Sequence, residues 1–223
     1  MSAASGIPTF RGAGGLWRSF RAEDLATPEA FARDPALVWE WYEWRRARIA
    51  ECTPNAAHDV LAQWTRESTR FTVITQNVDD LHLRAGTERL VRLHGSIWEL
   101  SCWDRCGARP WRDERVPLPN RPATCQSCGS LARPAVVWFG ESLSSADMNA
   151  AVAACSCDVF IAVGTSAVVY PAAGLVQQAK ARGAFTVEIN VEATAASAAV
   201  DLAITGGAEI VLPQLAARLP RPG

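Results

Sequence analysis

Residues 159–190 decide the fold prediction, and they read VFIAVGTSAVVYPAAGLVQQAKARGAFTVEIN. The apolar run VFIAV comes first and ends at the small and polar group Gly164-Thr165-Ser166. A helical pattern over 171–183 follows, and a second apolar run, FTVEI, comes after it. Short runs of this kind are typical of strands buried on both faces. A strand, a helix and a strand in this order predict a parallel pair with a crossover helix.

The same alternation of short apolar runs and polar residues recurs in much of the chain after residue 70. Further short apolar runs occur at 71–75, 90–93, 135–139 and 201–204. Small or polar residues follow most of them, and the alternation with helical patterns predicts an α/β fold of the Rossmann type. Such a fold has a mostly parallel sheet with helices on both faces. Ligands of these sheets bind at the carboxyl ends of the strands, where the polar residues would gather.

Two other segments differ from this pattern. Residues 21–70 read as helices, with a polar residue before a proline at three expected helix starts: Thr27-Pro28, Asp34-Pro35 and Thr53-Pro54. Residues 101–133 are poor in aliphatic residues and rich in Arg, Pro and Cys. We therefore predict a helical module over 21–70, a small cysteine-rich module over 101–133, and a Rossmann-type domain made of residues 1–20, 71–100 and 134–223.

Composition and charge argue against several classes of protein. The 223 residues are 49% hydrophobic and 20% charged, which is ordinary for a folded chain with a sizeable core. The net charge of −1 gives no reason to expect binding to nucleic acid or to an anionic membrane. The sequence shows neither an apolar run long enough for a membrane helix nor a signal segment. Seven cysteines in such a chain indicate a reducing compartment, so we expect a cytoplasmic protein, and we expect a monomer.

Two close pairs of cysteines lie in the cysteine-rich module, Cys102 with Cys106 and Cys125 with Cys128. Two such pairs separated by a moderate loop supply four thiolates that can converge tetrahedrally on zinc. Two disulfides or four unliganded thiols are the alternatives. A reducing compartment disfavours the first, and the second leaves a module without a core unexplained. We predict a zinc site, and the metal would be structural because four thiolates fill its coordination sphere.

His94 is the candidate catalytic residue. It follows the apolar run LVRL and precedes Gly95-Ser96, so it would lie at a strand end beside a ligand. A neutral imidazole there can accept a proton from a hydroxyl near neutral pH. The alternative is a hydrogen-bonded histidine at a strand end without a chemical role. The turn TQNVD at 75–79 offers amide and carboxylate groups for a ribose or a carboxamide, or it simply caps a helix.

Together these motifs resemble the sirtuins, the NAD-dependent protein lysine deacylases. The matching stretches run in the family's order across nearly the whole chain: SGIPTFRG at 5–12, TQNVD at 75–79, LHGS at 93–96, the four cysteines, VVWFGE at 136–141, GTS at 164–166, Asn190-Val191-Glu192 and the Gly207-Ala208 turn. The resemblance implies that NAD and acyl-lysine meet in a cleft between the Rossmann-type domain and the two smaller modules. The implied products are free lysine, nicotinamide and O-acyl-ADP-ribose.

The resemblance also implies a role for each matching residue. His94 would be the general base that deprotonates a ribose hydroxyl. Asn77 and Asp79 would shape the nicotinamide pocket, and Gln76 would hold the ribose. The other residues implied to contact NAD are Ala4, Ser5, Gly6, Thr9, Phe10, Arg11, Trp17, Val78, Gly164, Thr165, Ser166, Asn190, Val191, Glu192 and Ala208. The substrate peptide would add as a strand along the backbone of Val137, Trp138 and Gly140, and Phe139 would also contact substrate.

A second resemblance concerns the acyl group. Tyr42 and Arg45 are three residues apart in the predicted helix 35–50, so they share a face. They match the pair that marks sirtuins accepting malonyl-, succinyl- or glutaryl-lysine. A guanidinium can bind the acyl carboxylate bidentately, and a phenol can add one hydrogen bond. The alternative is that Arg45, near Arg46 and Arg48, is one of several solvated charges. We predict desuccinylase or demalonylase activity above deacetylase activity.

One departure from the family pattern concerns the start of the chain. Sirtuins enter the cofactor loop from a buried strand through a Gly-Ala-Gly turn, and neither precedes the Ser-Ala-Ala-Ser-Gly stretch at 2–6 here. Such glycines bring backbone N–H groups close to a pyrophosphate, and the strand would be central in the sheet. We expect translation to start upstream of Met1; a truncated chain is the alternative. The alternative functions are a weakly active or non-catalytic acyl-lysine or NAD-binding module, and a protein ADP-ribosyltransferase.

Overall fold

The structure, a computed structural model, describes residues 1–7, 16–17, 20–166 and 169–219. These residues form the helices α1 (Ala22–Leu25), α2 (Pro28–Arg33), α3 (Pro35–Ala50), α4 (Ala56–Glu67), α5 (Leu81–Arg84), α6 (Ser145–Ala154), α7 (Leu175–Ala181) and α8 (Ala208–Ala216). They also form the strands β1 (Leu16–Trp17), β2 (Phe20–Arg21), β3 (Val73–Thr75), β4 (Leu90–Arg92), β5 (Gly95–Cys102), β6 (Trp111–Arg112), β7 (Ala132–Val136), β8 (Val159–Val163), β9 (Phe185–Asn190) and β10 (Leu202–Thr205). Short 3-10 helices cover Ser2–Ser5 and Ala172–Gly174.

The strand–helix–strand unit predicted from residues 159–190 is confirmed. β8 and β9 pair in parallel, with Val159 opposite Phe185, and the helix α7 between them contacts both strands. β10 pairs in parallel with the other edge of β9, so β9 is central in this group. Parallel strands with helices packed on their apolar faces are the arrangement of a Rossmann-like α/β fold.

The predicted parallel strands form two groups instead of one continuous sheet. β3 and β4 pair in parallel in the second group, with Val73 opposite Leu90. In the described part of the chain no strand lies between β3 and β8, and no strand pairing joins the two groups. A cavity of about 2140 Å³ is lined by residues 71–76 on one side and 158–166 on the other. β3 and β8 thus face one cavity.

An antiparallel sheet in the order β6–β5–β7 lies beside the parallel strands. Its central strand β5 was not among the predicted strands, and the predicted run 135–139 was placed too late, since β7 covers Ala132–Val136. The chain leaves the sheet after Val136 because Phe139 N–H donates to Ala26 O, 2.9 Å away, and Gly140 turns with φ of 85°. These tertiary contacts override the local β preference of the residues after Val136.

Two of the three predicted helix caps are confirmed and one is wrong. The side chain of Thr27 accepts a hydrogen bond from Ala30 N–H at the start of α2, and Asp34 likewise caps α3. α4 does not start at Thr53-Pro54. It begins two residues later, with Asn55 as its cap. Asn55 accepts from one helix N–H while its own N–H donates to the His58 ring, so both partners of a capping box are present.

Three clusters of buried apolar side chains hold the elements together. The largest joins α1–α3 to β5, β7 and Trp138. A second joins α4 to β3, β9 and α8, and a third lies between α6, α7 and β8. α4 thus packs on the Rossmann-type strands, whereas α1–α3 pack on the antiparallel sheet. In the described residues no helix combines the length and the apolarity needed to cross a membrane.

Candidate active site

The cavity between the two groups of parallel strands collects most of the residues predicted to bind NAD or substrate. Those that line it are Tyr42, Arg45, Gln76, Asn77, Val78, Asp79, His94, Val137, Trp138, Phe139, Gly140, Gly164, Thr165 and Ser166. Two segments, 75–79 and 93–97, form what we call the strand-end wall. Tyr42, Arg45 and residues 137–141 form what we call the helix wall.

Backbone hydrogen bonds join the two segments of the strand-end wall. Leu93 N–H donates to Thr75 O at 3.0 Å, and Ile97 N–H donates to Val78 O at 2.9 Å. These bonds continue the parallel pairing of β3 and β4 beyond the strand ends. The wall therefore presents its side chains from backbone that is fixed by the sheet, as expected at the carboxyl ends of parallel strands.

His94 uses one ring nitrogen within this wall. Its Nδ1 lies 2.9 Å from Gln76 O. A carbonyl oxygen only accepts hydrogen bonds, so Nδ1 carries a proton, and in the neutral ring the lone pair is on Nε2. At Gly95 φ is 75°, and a Cβ would lie 2.1 Å from Ala135 O. Glycine at this position allows the chain to enter β5 directly after the histidine.

Asn77 and Asp79 are fixed at the other side of the same wall. Asn77 Nδ2 donates to Ser2 Oγ at 2.8 Å, and the Ser2 hydroxyl also bonds the Asp79 carboxylate. Asp79 is 4% exposed, and its Oδ1 accepts from Leu81 N–H at 2.9 Å. Burial raises the pKa of Asp79, although Leu81, Ser2 and the charge of Arg45 act against that rise. An amide and a carboxyl group thus share one small region of the cavity.

Tyr42 and Trp138 meet in the helix wall. Tyr42 is 1% exposed, and its hydroxyl accepts a hydrogen bond of 2.8 Å from Trp138 Nε1. Its ring packs edge-on against Trp41, with 4.7 Å between the ring centroids. Burial raises the pKa of Tyr42, so its hydroxyl is protonated at neutral pH. The phenol of a residue that lines the cavity is thereby fixed in position.

The three neighbouring arginines of α3 have different environments. Arg45 is half-buried and lines the cavity, and its guanidinium carbon lies 5.0 Å from the centroid of the Trp41 ring. Burial lowers the pKa of Arg45, and the negative charges of ionised Tyr42 and of Asp79 act in the opposite direction. Arg48 is exposed, and Arg46 is fully buried. The interpretation as a solvated charge describes Arg48, whereas Arg45 faces the same space as Asp79.

Arg46 ties α3 to the antiparallel sheet. Its guanidinium donates to the backbone oxygens of Ile97 (2.8 Å), Asp113 (2.7 Å) and Arg115 (3.0 Å). It also lies 3.4 Å from the carboxylate of Glu43. A buried guanidinium with this many acceptors is fixed in position, so the helix that carries Tyr42 and Arg45 is anchored to β5 and to the segment after β6.

The segment predicted to pair with a substrate peptide already uses several of its N–H groups. Val137 N–H donates to His94 O (3.0 Å), and Phe139 N–H donates to Ala26 O (2.9 Å). Trp138 N–H donates to Glu141 Oε2 (2.8 Å). An added strand would therefore pair with the carbonyl oxygens of this segment. The prediction of an added strand is narrowed in this way and stays a prediction.

The residues expected around the rest of the cofactor divide into two sets. Gly164, Thr165 and Ser166 line the cavity, and a Cβ at Gly164 would lie 2.6 Å from Met1 N. Gln76 Nε2 is 3.4 Å from Thr165 Oγ1, and Asn190 Nδ2 donates to Thr165 O. Within the described residues the cavity lining omits Asn190 and also Val191, Glu192 and Ala208. Val191 and Glu192 are exposed, and Ala208 belongs to the core between α4 and β9.

The N-terminal residues predicted to bind the cofactor are placed only in part. Ala4 and Ser5 belong to the first 3-10 helix, and Gly6 follows it. Ser5 Oγ accepts a hydrogen bond from Asn55 Nδ2 at 2.9 Å. Met1, Ser2, Ala3 and Ile7 line the cavity instead. Thr9, Phe10 and Arg11 lie outside the described residues, and only the backbone of Trp17 is described, in β1.

The four cysteines of the cysteine-rich module converge on one point. The Sγ atoms of Cys102, Cys106, Cys125 and Cys128 all lie within 4.8 Å of one another, with 3.6 Å and 3.8 Å for two of the pairs. Four sulfurs at about 2.3 Å from a tetrahedral zinc would be about 3.8 Å apart. A disulfide bond is about 2.05 Å long, and all seven cysteines are free. The cluster is positioned for zinc, and four ligands leave no coordination position for substrate.

A buried pair of histidines lies on α4 and α5, and α5 follows shortly after the segment 75–79. The rings of His58 and His82 meet edge to face with 4.9 Å between their centroids, and both are buried. Burial lowers the pKa of His58 to about 3 and the pKa of His82 to about 4. Both rings are therefore neutral near pH 7, which fits a structural role for the pair.

Three residues at the site were missed by the sequence reasoning. Ser2 bonds both Asn77 and Asp79, and its place in the motif before Gly6 gave no sign of this contact. Arg133 and Glu141 form an ion pair that encloses the segment of the helix wall. Opposite charges on either side of the apolar run were the only signal in the sequence, and such charges are usually solvated.

The comparisons with known proteins agree with this geometry. Residues 1–171 match the Sir2 family. The chain is 50% identical to the NAD-dependent protein deacylase of Aquifex aeolicus (strain VF5) over 203 residues, 91% of this chain and 84% of that protein. It is 50% identical to NAD-dependent protein deacylase 2 of Pyrobaculum aerophilum over 222 residues, 99% of this chain and 88% of that protein.

A solved structure extends the similarity to the fold. The crystal structure of a Sir2 homolog–NAD complex matches with a TM-score of 0.91 and 43% sequence identity, over 97% of this chain and 84% of that chain. The family match covers more than half of the chain, and the curated relatives share half of its residues over most of its length. The chain therefore belongs to the Sir2 family, as the motifs at 75–79 and 93–96 implied.

Proposed function

We propose that this protein is an NAD-dependent protein-lysine deacylase that removes acidic acyl groups, succinyl and malonyl, and removes acetyl more weakly. The products would be the free lysine, nicotinamide and the O-acyl-ADP-ribose. One observation carries the proposal: His94, the Asn77–Asp79 pair and the Tyr42–Arg45 pair line a single cavity. These side chains lie on the two walls of that cavity and so can face one bound ligand pair.

His94 supplies the general base in this proposal. Its Nδ1–H donates to Gln76 O, which leaves Nε2 as the acceptor of a proton from a ribose hydroxyl. Bound NAD would supply the electrophilic ribose carbon and the hydroxyl that receives the acyl group. The hydrogen bond to Gln76 O would also stabilise the imidazolium that forms when Nε2 takes up the proton, because that ring donates from both nitrogens.

The Asn77–Asp79 pair would bind the polar end of the cofactor. The Asn77 amide and the Asp79 carboxyl group offer both donors and acceptors, which a carboxamide requires. Their contacts to Ser2 and Leu81 fix their orientation before a ligand arrives. Gly164, Thr165 and Ser166, at the end of β8, would meet the phosphates and the ribose.

Arg45 and Tyr42 would recognise the acyl carboxylate. Arg45 brings a permanent positive charge to the half-buried helix wall, and its attraction to a carboxylate is strongest where water is excluded. The Tyr42 hydroxyl is protonated and can donate a second hydrogen bond. An acetyl group offers no such acceptor, so these two contacts would favour the acidic acyl groups.

The proposal is tested by comparing acyl peptides of identical sequence. The purified protein would receive NAD with a succinyl-, malonyl- or acetyl-lysine peptide, and nicotinamide release and O-acyl-ADP-ribose would be measured by mass spectrometry. We expect kcat/KM for the acidic acyl peptides to exceed that for acetyl by about tenfold or more, the effect of hydrogen bonds to a charged group.

Three outcomes would contradict the proposal. Equal or faster deacetylation would remove the acyl specificity. Binding of NAD without nicotinamide release would favour the non-catalytic module. Transfer of labelled ADP-ribose to protein without formation of O-acyl-ADP-ribose would favour the ADP-ribosyltransferase.

A further inference from the structure

The segment 137–141 of the helix wall is held by an ion pair that the reaction does not use. Arg133 donates from both terminal nitrogens to the carboxylate of Glu141, at 2.5 and 2.8 Å, and one of them also donates to Val136 O. Glu141 Oε2 in turn accepts from Trp138 N–H at 2.8 Å. Burial would raise the pKa of Glu141, but the bonds from Arg133 and Trp138 hold it below its usual value. The ion pair thus joins the two ends of this segment to each other and to the backbone of Trp138.

The same ion pair fixes the indole of Trp138. The Arg133 guanidinium carbon lies 3.4 Å from the centroid of the Trp138 ring, so the two planes are in close contact. The indole also contacts Phe31, with 5.4 Å between ring centroids. Trp138 is 2% exposed. With backbone, ring face and ring edge all contacted, the direction of its N–H is determined.

That N–H points at the hydroxyl of Tyr42, and its chemistry sets the direction of the next hydrogen bond. An indole nitrogen donates and never accepts. The Tyr42 oxygen must therefore be the acceptor of the 2.8 Å contact with Trp138 Nε1. The hydroxyl proton of Tyr42 cannot lie along this contact and is left for a different acceptor. Tyr42 lines the cavity, where an acyl carboxylate would be such an acceptor.

We propose that Trp138, fixed by the Arg133–Glu141 pair, is a specificity-determining positioning residue that orients the hydroxyl proton of Tyr42 toward the carboxylate of an acidic acyl group. This inference rests on the proposed function and adds to it a residue that acts through Tyr42. A residue that only packs in the core would need no N–H, and phenylalanine would serve equally well. The difference between tryptophan and phenylalanine at 138 is therefore the quantity to measure.

The experiment compares Trp138→Phe with Trp103→Phe in the full chain. Trp103 belongs to the same aromatic cluster, 6.3 Å from Trp138 between ring centroids, and serves as the matched control for loss of an indole. Thermal unfolding would first establish that both variants fold. The readout is the ratio of kcat/KM for succinyl-lysine to that for acetyl-lysine. We expect Trp138→Phe to lower this ratio about tenfold, mainly through KM for the succinyl peptide, and Trp103→Phe to leave it unchanged.

A double-mutant cycle tests whether Trp138 acts through Tyr42. If it does, adding Trp138→Phe to Tyr42→Phe lowers the ratio no further than Tyr42→Phe alone, because the hydroxyl is already gone. Equal losses for the succinyl and acetyl peptides, additive effects in the cycle, or an unchanged ratio in Trp138→Phe would each overturn the inference.

An activity-independent readout separates this inference from the proposed function. The chain has nine tryptophans, so the indole N–H resonances in a 15N-labelled sample are few, and Trp138→Phe identifies the one that belongs to residue 138. Tyr42→Phe should shift that resonance more than the others, since it removes the acceptor. If the wild type shows acid preference and this shift is absent, the inference alone fails. If the shift is present but the wild type lacks acid preference, the proposed function fails, and the specificity role of Trp138 fails with it.

Discussion

The two walls of the cavity are built by different means. The strand-end wall is held by backbone hydrogen bonds that continue the pairing of β3 and β4, such as Leu93 N–H to Thr75 O. The helix wall also has backbone bonds, from Val137 and Phe139, but its two parts are joined by side chains, through the Trp138–Tyr42 bond, and the buried Arg46 anchors its helix. Backbone contacts depend little on which residue is present, whereas side-chain contacts change with every substitution. In the proposed function, the general base would therefore lie on the wall held by backbone bonds, and the acyl-recognition pair would lie on the wall held mostly by side chains.

The largest expected effect comes from the strand-end wall. His94→Ala should lower deacylation of every acyl peptide by about 10²–10⁴-fold, since it removes the general base. NAD should still bind, because the bonds that join 75–79 to 93–97 are formed by the backbone. Rates with each acyl peptide and NAD affinity by calorimetry check this prediction. A loss confined to the succinyl peptide would break the division between the walls.

The next effect belongs to the helix wall. Arg45→Met should lower kcat/KM for the succinyl peptide about 100-fold while changing that for the acetyl peptide much less, because it removes a half-buried partner of the acyl carboxylate. Arg48→Met is the matched control, since Arg48 is the exposed arginine on the same helix. If both variants behave alike, or if Arg45→Met affects both peptides equally, Arg45 does not select the acyl group.

The last prediction concerns stability and not activity, and it tests the two buried histidines. The pKa of His58 is lowered to about 3 and that of His82 to about 4, so both rings are neutral in the fold. In the unfolded chain they titrate near 6.5, so the unfolded state takes up protons first as the pH falls. The stability from these rings is complete above about pH 6.5 and is lost toward pH 4, at up to about 1.4 kcal/mol per pH unit for each ring.

Urea unfolding at about pH 7, 6 and 5 measures this slope, and His82→Gln should roughly halve it. Carboxylates whose pKa is lowered in the fold, such as Asp113, change the free energy of unfolding only near and below their unfolded pKa of 3.8. A free energy of unfolding that stays constant between pH 6.5 and 5 would show that the two rings are accessible to protons in the fold.

Much of this molecule could be predicted from short-range signals. The spacing of Cys102, Cys106, Cys125 and Cys128 encodes the tetrahedral cluster, because two close pairs need only one loop closure to converge. Thr27 and Asp34 announce their helices because a cap acts within four residues. The predicted cap at Thr53 was wrong because Asn55, two residues later, is also a good capping residue and caps α4 instead.

The unpredicted part depends on contacts between distant residues. Arg46 and Arg48 are indistinguishable in the sequence, and only the carbonyl oxygens of 97, 113 and 115 make the first a buried anchor. The contact between Trp138 and Tyr42 spans 96 positions. Such partners become neighbours only when the tertiary fold is complete, and a local pattern carries no trace of them.

Arg46 has a consequence for anyone who would transplant the acyl specificity. Its three carbonyl acceptors tie α3 to β5 and to the segment after β6, so in the proposed function they would set where Arg45 meets an acyl carboxylate. Grafting Tyr42 and Arg45 into another scaffold would therefore transfer the two proposed recognition groups without the contacts that position their helix. A recipient would also need the arginine at 46 and its three acceptors.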